Sequence, residues 1–116
     1  MAEIVGLMDD LFFQMKVLET AKQLGMQFKV AATADSLMEL VATSPKLVIV
    51  DLNARSGAIP AIERVRAEKN GVRMVGFLSH VQVDLAEQAR AAGCDEVMPR
   101  SKFTQNLAEI LSSAKE

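Results

Sequence analysis

The chain holds one cysteine, Cys94, among 116 residues. No internal disulfide can form, and a lone thiol fits a reducing compartment. Basic charge is not in excess: 13 Lys and Arg face 15 Asp and Glu, a net charge of −2, so no electrostatic footprint for nucleic acid is present. No apolar run approaches the length of a membrane span. The start Met1-Ala2-Glu3 has no basic stretch of the kind that opens a signal peptide, and strand-like residues follow at once. The expectation is a cytoplasmic protein that touches neither membrane nor nucleic acid. No Cys/His spacing suits zinc, and no Ser-His-Asp order has a sensible context. Nothing points to a turnover enzyme. There is no linker, repeat or low-complexity stretch, so a single domain over residues 1–116 is expected.

What is present is an alternation. Ile4-Val5-Gly6-Leu7-Met8, Leu47-Val48-Ile49-Val50 and Met74-Val75-Gly76-Phe77-Leu78 are short apolar runs. They read as strands covered on both faces. Phe28-Lys29-Val30-Ala31-Ala32 is a weaker strand, and a short fifth is expected near 95–98. Helical spacing fills the gaps. Leu11, Met15, Leu18 and Ala21 share one helical face, and Gly25 is a stop. Ser36-Leu37-Met38-Glu39 has the form of a capping box. Pro60 suits the first turn of a third helix, and Asn70-Gly71 ends it. Asp84 is placed to cap a fourth, which Gly93 stops, and Leu107, Ile110, Leu111 and Ala114 line a fifth. Strands alternating with helices of this length predict an α/β, doubly wound parallel sheet, with right-handed crossovers.

Three of the apolar runs close on chemistry-bearing residues: Asp9-Asp10, Asp51, and Ser79-His80. In a parallel sheet these meet at the carboxyl edge, where open α/β folds bind ligands. Carboxylates gathered there repel one another unless a cation lies between them, which suggests a Mg²⁺-type site.

Taken in order, Leu7-Met8-Asp9-Asp10, Val48-Ile49-Val50-Asp51-Leu52-Asn53, Phe77-Leu78-Ser79-His80 and Ala91-Ala92-Gly93-Cys94-Asp95-Glu96-Val97-Met98-Pro99 resemble a response-regulator receiver domain, the phosphoacceptor module of two-component signalling. The resemblance spans the chain. It implies a flavodoxin-like, receiver-like sheet of five parallel strands in order 2-1-3-4-5 with helices on both faces. It further implies that Asp51 accepts a phosphoryl group from a histidine kinase or phosphotransfer protein. Asp9, Asp10, Asp51 and the Asn53 backbone carbonyl would bind Mg²⁺, and the Ser79 hydroxyl would bond a phosphoryl oxygen. The only chemistry expected is self-catalysed transfer onto Asp51, and the signal would pass by contact to a downstream protein target.

The sequence also departs from the pattern. Where the family has Lys-Pro-Phe after the fifth strand, this chain has Arg100-Ser101-Lys102-Phe103. Arg100 takes the lysine position, with Lys102 the alternative, and Arg is not a neutral substitute for Lys. Ala54-Arg55 replaces the usual Met-Pro, His80 stands where a small residue is preferred, and Val97 takes the place of a signalling aromatic. A second function class is therefore a degenerate receiver, a protein-interaction module that works without phosphorylation. A flavodoxin-like small-molecule binder is a third, opposed by the absence of a glycine-rich loop where Asp9-Asp10-Leu11-Phe12-Phe13 stands.

Each site residue has a plainer reading as well. Asp9 or Asp10 can cap the first helix, Asp51 can bond a loop amide, Ser79 can be a turn residue, and Arg100 and Lys102 can be solvated charges. Cys94 reads as a small core residue. Of Phe12-Phe13, one ring is expected in the core and the other at a partner contact.

Overall fold

A computed structural model describes residues 3–69, 71–79 and 82–115. The strands are β1 (Ile4–Leu7), β2 (Phe28–Ala31), β3 (Leu47–Asp51), β4 (Arg73–Leu78) and β5 (Glu96–Pro99). All pair in parallel, in the order β2-β1-β3-β4-β5. The helices are α1 (Leu11–Gln23), α2 (Ala34–Val41), α3 (Ala58–Glu68), α4 (Val83–Ala92), α5 (Arg100–Gln105) and α6 (Leu107–Ser112). This is the doubly wound fold that the alternation predicts, in the strand order that the receiver resemblance implies.

Strand side chains alternate between faces, and both faces are buried. Val5, Leu7, Val48 and Val50 pack with Leu37, Val41, Ile62 and Val65 of α2 and α3. Ile4, Leu47 and Ile49 pack on the opposite face with Phe13, Val17 and Ala21 of α1 and with Leu107, Ile110 and Leu111 of α6. A strand covered on both sides needs apolar residues at every position, hence continuous runs rather than alternation. Gly6 is required by close approach: a Cβ there would lie 3.1 Å from both the Phe28 ring and the Ile49 carbonyl oxygen.

Four local expectations are corrected. Of the expected face of α1 only Ala21 is buried, in a stripe with Phe13 and Val17, whereas Leu11, Met15 and Leu18 are exposed at 71%, 66% and 52%. Both sets have helical spacing, so periodicity alone did not choose between them. Helix α2 starts earlier than the capping-box reading, with Thr33 as its cap: Thr33 Oγ1 accepts from the Ser36 amide at 3.1 Å. Asp84 lies in the first turn of α4 instead of capping it; the cap position is Gln82, which makes no side-chain capping bond. The last helix is two short ones meeting at Asn106, and the stripe Leu107, Ile110, Leu111, Ala114 is buried as expected. Phe13 enters the core and Phe12 is 87% exposed. His80 lies outside the described residues, as does Asn70.

Candidate functional site at the carboxyl edge

The register brings the site residues to one edge. Leu7 pairs with Val50, Asp51 with Phe77, and Leu78 with Pro99. Asp9-Asp10, Asp51, Ser79 and Arg100 therefore emerge together from β1, β3, β4 and β5.

Asp51 is the one polar or charged residue among the described residues that is buried, at 3% exposure. Its Oδ1 accepts from the Asn53 amide at 2.9 Å. Its Oδ2 lies 3.6 Å from Arg100 Nη2, the distance of an ion pair rather than of a short hydrogen bond. Burial raises the Asp51 carboxyl pKa, the Asn53 amide and the Arg100 charge oppose that, and the Asp9 and Asp10 charges add to it. Repulsion among the carboxylates is the smaller part of that rise; loss of water is the larger.

Asp10 caps α1, its Oδ1 accepting from the Phe13 amide at 3.2 Å. Its Oδ2 accepts from Arg100 Nη1 at 3.1 Å. The Phe13 amide, then the Arg100 bond, lower its pKa below the ordinary 3.8. Capping and the Arg100 ion pair fall on the same residue. Asp9 is exposed and turns to the loop after β3, where its Oδ2 accepts from the Arg55 amide at 3.0 Å.

Arg100 is fixed by more than charge. Its guanidinium carbon lies 4.7 Å from the Phe13 ring centroid and 5.4 Å from that of Phe77. Those rings and Phe103 pack together beneath it, with centroids 4.7 to 5.9 Å apart. Cation–π contact of this kind contributes about 0.5–2 kcal/mol. Arg100 Nε is buried with no hydrogen-bond partner among the described residues, a cost of about 1–3 kcal/mol that the stacking and ion pairs offset. Lys102 is exposed and lines a groove with Arg73, Glu96 and Asn106. Of the two sequence candidates, Arg100 is the one that meets Asp51.

Ser79 and Asn53 are joined. Asn53 Oδ1 accepts from both the Ser79 amide at 2.9 Å and the Ser79 hydroxyl at 3.1 Å. Asn53 Nδ2 donates to Gln82 Oε1 at 2.9 Å. Sequence reasoning gave Asn53 a backbone role only. The side-chain clamp was missed because Gln82 lies 29 residues away and carries no local signal. The Phe13–Phe77 platform was missed for the same reason.

Solved receiver structures superpose on this architecture. The receiver domain of NtrX from Brucella abortus matches with a TM-score of 0.81 and 17% identity, over 96% of each chain. A longer NtrX chain from the same organism matches with a TM-score of 0.82 and 18% identity; 98% of this chain spans only 28% of that one. A response regulator from Burkholderia pseudomallei, described with a phosphorylated aspartic acid, a calcium ion and citrate, matches with a TM-score of 0.81 and 16% identity, over 97% of this chain and 68% of that one. The chain has the receiver fold. No protein-family model and no curated protein matches the sequence.

The receiver fold implies a divalent ion at this edge, but the residues here do not fit one as they are arranged. Among the described residues, no three His, Cys, Asp or Glu side chains come together as a metal-binding group. Both Asp10 oxygens, Asp9 Oδ2 and Asp51 Oδ1 are engaged by N–H donors, and Asp51 Oδ2 faces the Arg100 guanidinium at 3.6 Å. The Arg100 guanidinium, already paired with Asp10 and Asp51, would repel a divalent ion held on the same carboxylates. No helix among the described residues is long and apolar enough to cross a membrane.

Proposed function

We propose that this chain is a two-component receiver module in which Asp51 accepts a phosphoryl group from a histidine kinase or phosphotransfer protein. The observation that supports this best is the asymmetry of Asp51. One oxygen is held by the Asn53 amide, and the other faces the Arg100 guanidinium without a short bond. That second oxygen is the nucleophile. As its bond to phosphorus forms, the phosphorus–nitrogen bond of the donor phosphohistidine breaks and the imidazole leaves. Such transfer is mainly positioning and charge neutralisation. Arg100 pairs with the equatorial oxygens through its planar fork, and the Ser79 hydroxyl turns from Asn53 to bond another. The chain then releases no product of its own and acts as a switch, not a turnover enzyme.

The protein partners need surface, and α1 offers it. Leu11, Phe12, Met15 and Leu18 are exposed, and Val30 of β2 adds to them. An apolar stripe at helical spacing suits a helical partner. The net charge of −2 supports a protein target over nucleic acid.

A second reading is the degenerate receiver, which works by contact without phosphorylation. Two observations favour it: Asp51 is only 3% exposed, and the Ser79 hydroxyl is already bonded to Asn53. Intact-protein mass after acetyl phosphate with Mg²⁺ separates the two. The receiver reading expects one added phosphoryl group in the wild type and none in Asp51→Asn. No addition from acetyl phosphate or any phosphohistidine donor supports the contact module instead.

A further inference from the structure

The carboxyl edge of this sheet needs positive charge, because three carboxylates end two adjacent strands. The chain supplies that charge itself. Arg100 reaches Asp10 with Nη1 at 3.1 Å and Asp51 with Nη2 at 3.6 Å. It does so while lying over Phe13 and Phe77. A planar fork can span two carboxylates and stack on rings at once; an ammonium on a flexible stem cannot. The third carboxylate, Asp9, is turned to the Arg55 amide. A hard divalent ion needs several oxygens converging on it; here both Asp10 oxygens, Asp9 Oδ2 and Asp51 Oδ1 serve N–H donors, and Asp51 Oδ2 faces the guanidinium.

We infer that Arg100 is the resident cation of this site: its guanidinium holds the charge-balancing place of a divalent ion, so the wild-type pocket keeps its carboxylates together without Mg²⁺. The role toward a phosphoryl group rests on the receiver reading above. The charge-balancing role stands whether or not Asp51 is modified.

The test titrates Mg²⁺ alone into ¹⁵N-labelled protein. Wild type shows no saturable shift at the amides of Asp9, Asp10, Asp51 and Asn53 up to about 20 mM, well above the range of a built hard-ion site. Arg100→Met keeps an apolar stem on the two rings but removes the charge, and it binds Mg²⁺ at least about tenfold more tightly, a change of about one decade in Kd. Arg100→Lys keeps the charge but cannot span both carboxylates and stack at once, so it also binds Mg²⁺ more tightly than wild type. If Arg100→Met folds only when Mg²⁺ is added, read by circular dichroism, the inference is supported in the same way. Saturable wild-type shifts at low millimolar Mg²⁺, or equal affinity in wild type and Arg100→Met, overturn it. If Arg100→Met fails to fold under either condition, the wild-type titration decides alone.

Acetyl phosphate with chelator and with Mg²⁺ gives the second arm. Rates at Asp51 within about tenfold of each other support Arg100 as the working cation. Modification that strictly requires Mg²⁺ overturns it while leaving the receiver reading intact. Modification in neither condition counts against the receiver reading, and the Mg²⁺ titration then decides the role of Arg100.

Discussion

Arg100 Nη1 donates to Asp10 Oδ2 at 3.1 Å across 90 residues of sequence, tying the end of β5 to the start of α1. Asp10 thus serves a helix terminus and a long-range ion pair at once, and the two roles can be separated. Asp10→Ala loses the cap, about 1 kcal/mol, and a charge-assisted bond of about 1.5–3 kcal/mol. A total near 3 kcal/mol is expected from urea midpoints. Asp10→Ser keeps a capping oxygen and should recover about 1 kcal/mol of it. Equal losses in the two variants would show that the cap contributes nothing.

The two carboxylates paired with Arg100 act on the pH profile in opposite directions. Asp10 is lowered from 3.8, so it contributes stability that is present above that value and lost as pH falls through its folded pKa. Asp51 is raised, chiefly by burial. Its ionisation costs stability; the cost is absent below 3.8 and complete above the raised folded value. Asp51→Asn should therefore be more stable than wild type at neutral pH, with the gap closing as pH falls through the raised value. Denaturation at pH 7 and in acid checks both parts. An Asn variant less stable than wild type at pH 7 would mean that the Arg100 pairing outweighs the loss of water.

Asn53 is the clamp between the β3 end and the segment after β4. Asn53→Ala removes the bonds to Ser79 and Gln82, each contributing about 1 kcal/mol. The Ser79 amide should exchange its hydrogen about tenfold faster, while amides in the centre of β1 stay protected. Gln82 also lines the groove between α4 and β5 with Val83, Ala86 and Val97, so shifts should spread to that face. Confinement of all change to Asn53 itself would remove the clamp from the account.

Cys94 is buried, and loss of water raises its thiol pKa to about 11. The thiolate is the reactive form. At pH 8 the native protein should not react with a thiol reagent, and the same protein in denaturant should react fully. Rapid native labelling would contradict the core role that Cys94 has between Met74 and Glu96.

Much of this molecule was legible in the residues because both faces of the sheet are covered. Continuous runs such as Leu47–Asp51 have few other uses, and the intervening lengths fit right-handed crossovers. Which stripe of α1 faces inward was not legible, since Leu11-Met15-Leu18 and Phe13-Val17-Ala21 are equally apolar. The choice comes from tertiary packing, as Phe13 joins Phe77 and Phe103. In the site, the positions of Asp9, Asp10, Asp51 and Ser79 followed from strand ends, and Arg100 came from the receiver resemblance, with Lys102 left as the alternative. Their partners did not, because Arg100 over Phe13 and Asn53 on Gln82 are contacts between distant segments with no periodic trace.

The side-chain Nε–H resonance of Arg100, followed by NMR while acetyl phosphate and Mg²⁺ are added, tests the central claim most directly. Arg100 faces the Asp51 oxygen assigned as nucleophile. The account predicts a new Arg100 Nε signal that grows in step with one added phosphoryl group in the intact mass, and no change of either kind in Asp51→Asn. An unmodified Asp51 and an unmoved Arg100 signal across small donors and phosphohistidine donors would contradict it.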